Sequence, residues 1–312
     1  MALRFTLRQL EYFIAVGEEG SIAQASERVN VSSPSISAAI SQLEDEFGLP
    51  LFVRKHAHGL SLTQAGRQFM TQAKQVLSEA EALNRLAGDI SGNVQGPLNI
   101  GCLLTFAQVL LPAIRRQFEL KYPDTRVTQV ETDQLRIIEL LRRAEIDVAL
   151  SYDLDIPPDL EFVPLRSLPP YAMVPEGHPL ARQNEVDVEE LLDYPMVLLD
   201  LPLSNDYFQS FFNQTGRKPK VAERTRDIAV MRSLVANGFG YGIANIRPYS
   251  DLSPDGRRLV FIPIKGDHRA MRLGLIIPEN ARNILTVNAF IDHSAKVIRD
   301  WNYPGNAIKA DS

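Results

Sequence analysis

Leu7, Leu10, Phe13 and Ile14 recur at helical spacing behind a Thr6-x-x-Gln9 capping pattern, and the run is interrupted at Gly17 and Gly20. Ser21 with Gln24 opens a second, shorter helix, with Ile22, Ala25 and Val29 on its apolar face and a stop at Asn30. After a Val31-Ser32 turn, Ser33 is expected to cap a third helix with Pro34 in its first turn. Ile36, Ile40, Leu43 and Phe47 line one side of it until Gly48-Leu49-Pro50. Two helices joined by a short turn behind a supporting helix form a helix-turn-helix pattern, whose last helix enters the major groove. The stretch LFVRKHAHGLSLT then reads as two short strands about a His56-Ala57-His58-Gly59 turn, a wing that carries Arg54 and Lys55 where DNA phosphates would lie.

From Gly66 the period lengthens. Phe69, Ala73, Val76, Ala80, Leu83, Ala87 and Ile90 alternate in steps of four and three, a heptad seam that calls for a partner helix. Dimerisation through residues 66–92 is the reading; the alternative is a helix packed on the C-terminal domain. GDISGNVQGP supplies the break. Beyond Pro97, strand-like runs and helical patterns alternate: LNIGCLL, a helix from about Ala107 to Lys121, RVTQV, a helix from Gln134 to Arg143, then DVALS. A second group has strands near YAMVP, PMVLLD, YGIAN and LVFIPI, with helices around Tyr207 to Gln214 and Ile228 to Asn237. RLGLII and a helix from about Arg282 to Trp301 return to the first group. The expectation is a winged helix-turn-helix over 1–65, a linker helix over 66–92, and a two-lobed α/β domain over 93–305. Lobe I takes about 97–168 and 271–301, and lobe II about 169–270. A cleft between such lobes is the default ligand site.

Composition alters this picture little. The 312 residues carry a net charge of −5, and residues 1–65 hold five Lys/Arg against seven Asp/Glu. DNA binding must therefore rest on where the cations sit and not on their total. No apolar run reaches the ~20 residues of a membrane helix and no signal core opens the chain, so a cytoplasmic protein is expected. Cys102, the only cysteine, lies in a strand-like run and reads as core; no intramolecular disulfide is possible. His56 and His58 are spaced for a metal but lack further ligands, so neither a metal nor a cofactor is expected. Gly238, Gly240 and Gly242 fall between helix and strand, the reverse of a dinucleotide loop, and read as a tight turn. No nucleophile-base pair emerges, which argues against an enzyme.

The ordered set SxAxASERVNVSSPSISAAISQLE, LFVR and LTQAG resembles the DNA-binding domain of LysR-type transcriptional regulators. The remainder, with EIDVALS and LVANGFGYGIAN, resembles that family's effector-binding region, similar in fold to type 2 periplasmic binding proteins. The resemblance implies a transcription factor on promoter DNA, controlled by a small molecule, assembled as a dimer and then a tetramer, with RNA polymerase as a further partner. The alternative function is a small-molecule-binding or sequestering protein without a transcriptional role. Family members often carry Gln at the position of Ser33 and Arg at that of Ala38. Here both are small, so bidentate arginine reading of guanine is missing from this face. The candidate DNA contacts are Ser33, Pro34, Ser35, Ser37, Ala38, Ser41 and Gln42 on the third helix, with Arg54 and Lys55 on the wing. Candidate effector contacts sit at junctions between strands and helices, where ligands of open α/β sheets gather. They are Thr105, Gln134, Ser151, Tyr152, Ser204, Tyr207 and Asn245; for Thr105 a plain helix cap is the competing role. Asp153, Asp155 and Asp206 lie nearby in sequence and leave room for an effector bearing an amine or several hydroxyls.

Overall fold

The computed structural model describes residues 4–55 and 59–302, which form two compact units: one up to residue 87 and one from residue 88, residues 143–145 apart. The N-terminal unit runs α1 (Leu7–Glu19), α2 (Ile22–Val29), α3 (Ser33–Phe47), β1 (Phe52–Lys55), β2 (Gly59–Leu62) and α4 (Gln64–Ser91). The capping box at α1 is complete: the Thr6 side chain accepts the Gln9 N–H, and the Gln9 side chain accepts the Thr6 N–H. At α2 only the Ser21 half is made, accepting from Gln24 N at 3.4 Å. The start of α3 differs from expectation. Ser33 is its first helical residue, and the cap position is Ser32, whose hydroxyl meets that of Ser35 at 2.8 Å and caps no backbone N–H. Pro34 explains why this end tolerates a weak cap, since one of the orphan donors is missing from the start.

Ile36, Ile40 and Leu43 of α3 are buried, as their spacing requires, against Phe13, Ala15 and Val16 of α1 and Ala25 of α2. Phe47 is 38% exposed, yet its ring sits 4.8 Å from Phe69 and 5.4 Å from Phe5. β1 and β2 pair antiparallel from Phe52↔Leu62 to Lys55↔Gly59. Glu44, near the end of α3, fastens this ribbon by accepting the backbone N–H groups of Leu51 (2.7 Å) and Phe52 (3.0 Å). The heptad seam of α4 divides. Phe69 and Ala73 pack inside this unit's own core, whereas Val76 is 40% and Leu83 68% exposed. Glu18 meets Lys74 at 2.6 Å and Arg28 at 2.8 Å, tying the start of α4 to α1 and α2. Burial opposes ionisation of Glu18, but the two cationic partners outweigh it and hold the carboxyl below its ordinary range.

The C-terminal unit begins with β3 (Gly96–Leu103), α5 (Leu104–Ala107), α6 (Leu111–Lys121), β4 (Thr125–Thr132), α7 (Gln134–Arg142), β5 (Val148–Tyr152) and β6 (Leu160–Leu168). It continues through β7 (Tyr171–Pro175), α8 (Val188–Leu191), β8 (Pro195–Leu199), α9 (Ser204–Ser210), β9 (Lys220–Thr225), α10 (Ile228–Ala236), β10 (Gly242–Ala244) and β11 (Leu259–Pro263). It closes with β12 (Met271–Pro278) and α11 (Leu285–Asp300). The first lobe is a five-stranded sheet of order β4-β3-β5-β12-β6, in which β3 is parallel to β4 and β5 and β12 is antiparallel to β5 and β6. The second lobe holds the antiparallel trio β10-β7-β11 and the parallel pair β8-β9, joined by the Met196↔Tyr241 bridge.

One long helix was expected over about 107–121. The helix there, α6, starts only at Leu111, behind the separate short α5 over Leu104–Ala107, because Pro112 cannot donate in a helix interior and instead sits in the first turn of α6. Cys102 is fully buried, and burial pushes its thiol well up. At the Gly238–Gly242 turn, a Cβ on Gly240 (φ +153°) would lie 2.2 Å from the Pro195 carbonyl oxygen, so the close approach itself requires glycine. No helix among the described residues is long and apolar enough to cross a membrane.

Candidate functional site

On α3, Pro34, Ser35, Ser37, Ala38, Ser41 and Gln42 are exposed and Ser33 is half-buried. The outward arc is uncharged until Asp45, also exposed. Gln42 is not loose on this surface. Its Oε1 accepts a hydrogen bond from Gln9 Nε2 at 2.8 Å, while Gln9 Oε1 accepts the Thr6 N–H at 2.8 Å. The capping box therefore fixes which way round the Gln9 amide lies, and Gln9 in turn leaves the Gln42 amide nitrogen as the group on offer. Arg54 and Lys55 lie on β1; the turn residues His56, Ala57 and His58 lie outside the described residues.

In the C-terminal unit, Thr105 and Tyr152 from the first lobe and Ser204 and Asn245 from the second line one cavity. All four side chains are buried. Apolar walls come from Leu103, Leu199, Leu201, Phe208, Ile228 and Ile246, and the enclosed space holds about one water molecule. Neither the Thr105 nor the Ser204 hydroxyl makes a hydrogen bond to the described protein. Strand-end position thus finds the polar lining, while the apolar walls carry no individual signal beyond their neighbourhood to those strand ends.

Three of the expected contacts point elsewhere. Gln134 and Ser151 are buried but bind each other: Ser151 Oγ donates to Gln134 Oε1 at 3.1 Å, and Gln134 Nε2 donates to the Leu154 carbonyl. They satisfy the junction of β5 and α7 and are absent from the cavity lining. The Tyr207 hydroxyl donates to the Arg269 carbonyl at 2.7 Å and accepts from Asn245 Nδ2 at 2.8 Å. Burial raises its pKa to about 12, so it stays a neutral donor. Asn245 Nδ2 also donates to the Leu168 carbonyl at 2.9 Å. Asn245 therefore faces the cavity while holding one crossing between the lobes at Leu168, and through Tyr207 it holds the other at Arg269.

Asp153, too, is engaged within the protein. Its carboxylate accepts the Arg272 backbone N–H (2.8 Å) and guanidinium Nε (2.7 Å), with Arg269 at 3.4 Å. Burial works against its ionisation, but the Arg272 hydrogen bonds and the two guanidinium charges outweigh it, and the carboxyl lies below its usual range.

Residues 7–67 match the family described as bacterial regulatory helix-turn-helix protein, lysR family, and residues 91–299 match the LysR substrate binding domain. The chain is 31% identical over 264 residues to the Hca operon transcriptional activator HcaR of Escherichia coli K12, covering 84% of this chain and 88% of that protein. Among solved structures it is similar to HinK, a LysR family transcriptional regulator from Pseudomonas aeruginosa, with a TM-score of 0.63 at 31% identity over 94% of this chain and 99% of that one. CbnR complexed with its target DNA shares the fold, with a TM-score of 0.69 at 23% identity over 94% and 99% of the two chains. Two successive domain matches in one chain, a winged helix-turn-helix and a two-lobed substrate-binding domain, place it in the LysR family, and it is a sequence-specific DNA-binding transcriptional regulator with an effector-binding C-terminal domain.

Proposed function

We propose that an effector held between the two lobes through Thr105 and Ser204, with Tyr152 and Asn245 beside them, sets how this regulator engages promoter DNA and RNA polymerase in the cytoplasm. The observation that carries this is the pair of buried hydroxyl-bearing residues, Thr105 from one lobe and Ser204 from the other, that line one cavity. A ligand regulates only by favouring one arrangement over another, and a group bridging two lobes senses their separation directly. A metabolite panel screened by thermal shift supplies the effector, since binding to the folded state raises apparent stability by mass action. Calorimetry then tests the site. Thr105→Val keeps the shape and removes the hydroxyl, and with Ser204→Ala it is expected to weaken binding by about 1 to 2 kcal/mol each. Unchanged affinity in both variants places the effector elsewhere.

On the DNA side, the proposed base-facing set is Ser33, Pro34, Ser35, Ser37, Ala38, Ser41 and Gln42, with Arg54 and Lys55 on phosphates. Dimers pair through α4 and assemble further into tetramers. The short, uncharged face of α3 supports reading by hydroxyls, by apolar contact with thymine methyls and by DNA shape. Gln9→Glu provides a sharp test. Glutamate keeps the acceptor that completes the capping box but cannot donate to Gln42, so the Gln42 amide is expected to turn over and present its oxygen. Thermal stability should stay within about 0.5 kcal/mol. Preference among single-base operator variants, read by fluorescence anisotropy, should shift at one position per half-site. A uniform change across all variants would remove Gln42 from base reading.

A further inference from the structure

We propose that the lobes part beyond the one-water space seen here to admit a molecule that is small and uncharged, an apolar body carrying one carbonyl, amide or hydroxyl group; this rests on the reading of the cavity as the effector site. The described lining is apolar apart from Thr105, Ser204, Asn245 and Tyr152, and it holds no Asp, Glu, Lys, Arg or His. A carboxylate entering such a space gives up its water for a site without a cation.

Donors that could receive an anion near this wall are partly engaged by the protein itself. Ile228, the first residue of the nine-residue helix α10, lies in the wall. Two of the helix's N–H groups are taken by Asp227, whose Oδ1 accepts from Ala229 N at 2.6 Å and Val230 N at 3.4 Å. The helix end therefore presents a carboxylate where an anion would need positive potential. Gln108, from the other lobe, donates to that same oxygen at 3.4 Å. Arg269 and Arg272, which bind Asp153, the residue after Tyr152, are engaged as well. What stays open is two hydroxyls. Each can donate or accept, and together they match a neutral group that offers a carbonyl oxygen, an N–H or an O–H to both lobes.

Two isosteric pairs of probes separate charge from shape: isobutyramide against isobutyrate, and benzamide against benzoate. Each is titrated calorimetrically into the full chain and into its Thr105→Val, Ser204→Ala and Asp227→Asn variants. Each amide is expected to bind at least about tenfold tighter than its carboxylate, and Thr105→Val or Ser204→Ala to weaken the amide about fivefold or more. Asp227→Asn keeps a capping side chain and removes the negative charge, so it should strengthen the carboxylates and leave the amides unchanged. A carboxylate that binds as tightly as its amide, and is weakened by Thr105→Val, overturns the neutral assignment while the site stands. Amide binding that neither hydroxyl variant weakens overturns the reading of the cavity itself. Failure of both amides to bind in the millimolar range overturns the proposal as stated.

Discussion

Leu83→Asp is expected to lower operator affinity by at least about 100-fold while leaving the fold of each subunit intact. Leu83 is 68% exposed, so it contributes little to its own unit's core and its replacement has little to unfold. Under the proposed pairing of α4 helices, the new carboxylate is buried without a partner in the dimer. That costs several kcal/mol, and each ~1.4 kcal/mol is a factor of ten in binding. Two half-sites can be gripped together only by a dimer, so affinity for a palindromic operator falls further than affinity for an isolated half-site. Sedimentation of the full chain gives the oligomeric state, and anisotropy on both DNA forms gives the affinities. A Leu83→Asp protein that remains dimeric and binds the palindrome normally shows that α4 pairs through another face or not at all.

Asp153→Ala is expected to destabilise the C-terminal unit by about 3 kcal/mol, at the lower end for breaking a buried ion pair, because both arginines keep more than half of their side-chain surface in water. The effect should depend on pH with a definite sign. The folded-state pKa of Asp153 is depressed, so its contribution is complete above the ordinary carboxylate range and is lost as pH falls through that range toward the lower folded value. Urea melts at pH 7 should therefore separate wild type from Asp153→Ala widely. The gap should narrow below about pH 4. A gap of equal size at both ends attributes the loss to packing and not to charge. Arg272 is the second residue of β12, the strand that re-enters the first lobe, and Arg269 belongs to the crossing before it, so the same variant should also loosen the lobes relative to each other.

The helix-turn-helix was legible because every inward position of α3 obeys one period and its outward positions do not. The α4 seam misled in part for the same reason. Phe69 and Ala73 share the period of Val76 and Leu83, but periodicity states that a face is buried and not which surface buries it; Phe13 and Phe47 reach the first of these from within the same unit. Strand-end position likewise picked out Thr105, Ser204 and Asn245, which line the cavity, together with Gln134 and Ser151, which do not. A strand-end polar group can face the cleft or satisfy a neighbour, and only the three-dimensional pairing of Ser151 with Gln134 separates the two. Asp153 shows the point from the other side, since its partners are more than 110 residues away in sequence.

Two strands carried no usable pattern. β9 reads KVAERT, half charged, because it is an edge strand whose register with β8 shifts at Met196/Val197. β6 reads LEFVPLRSL, and Pro164 argues against a central strand. The structure accommodates it at the edge of the sheet with a register shift between Leu273 and Gly274, opposite Arg166 and Pro164. Gly274 is required there, for a Cβ would lie 2.3 Å from the Phe162 ring and 2.5 Å from the Val163 carbonyl oxygen.

That edge position has a consequence during synthesis on the ribosome. β6 has a single neighbour in its sheet, β12, and β12 also stands between β6 and the rest of the lobe. About 100 residues separate the end of β6 from the start of β12, and at 5–20 residues per second the chain waits roughly 5 to 20 s before its partner exists. The second lobe lies wholly within that interval and can complete its own sheet first, while Phe162 and Val163 have nothing yet to pack against. The Arg166 side chain and Pro164 within β6 then act as gatekeepers, discouraging pairing with nascent neighbours on the same message. Emergence of β12 is the step that commits the first lobe, and with it the cavity, to form.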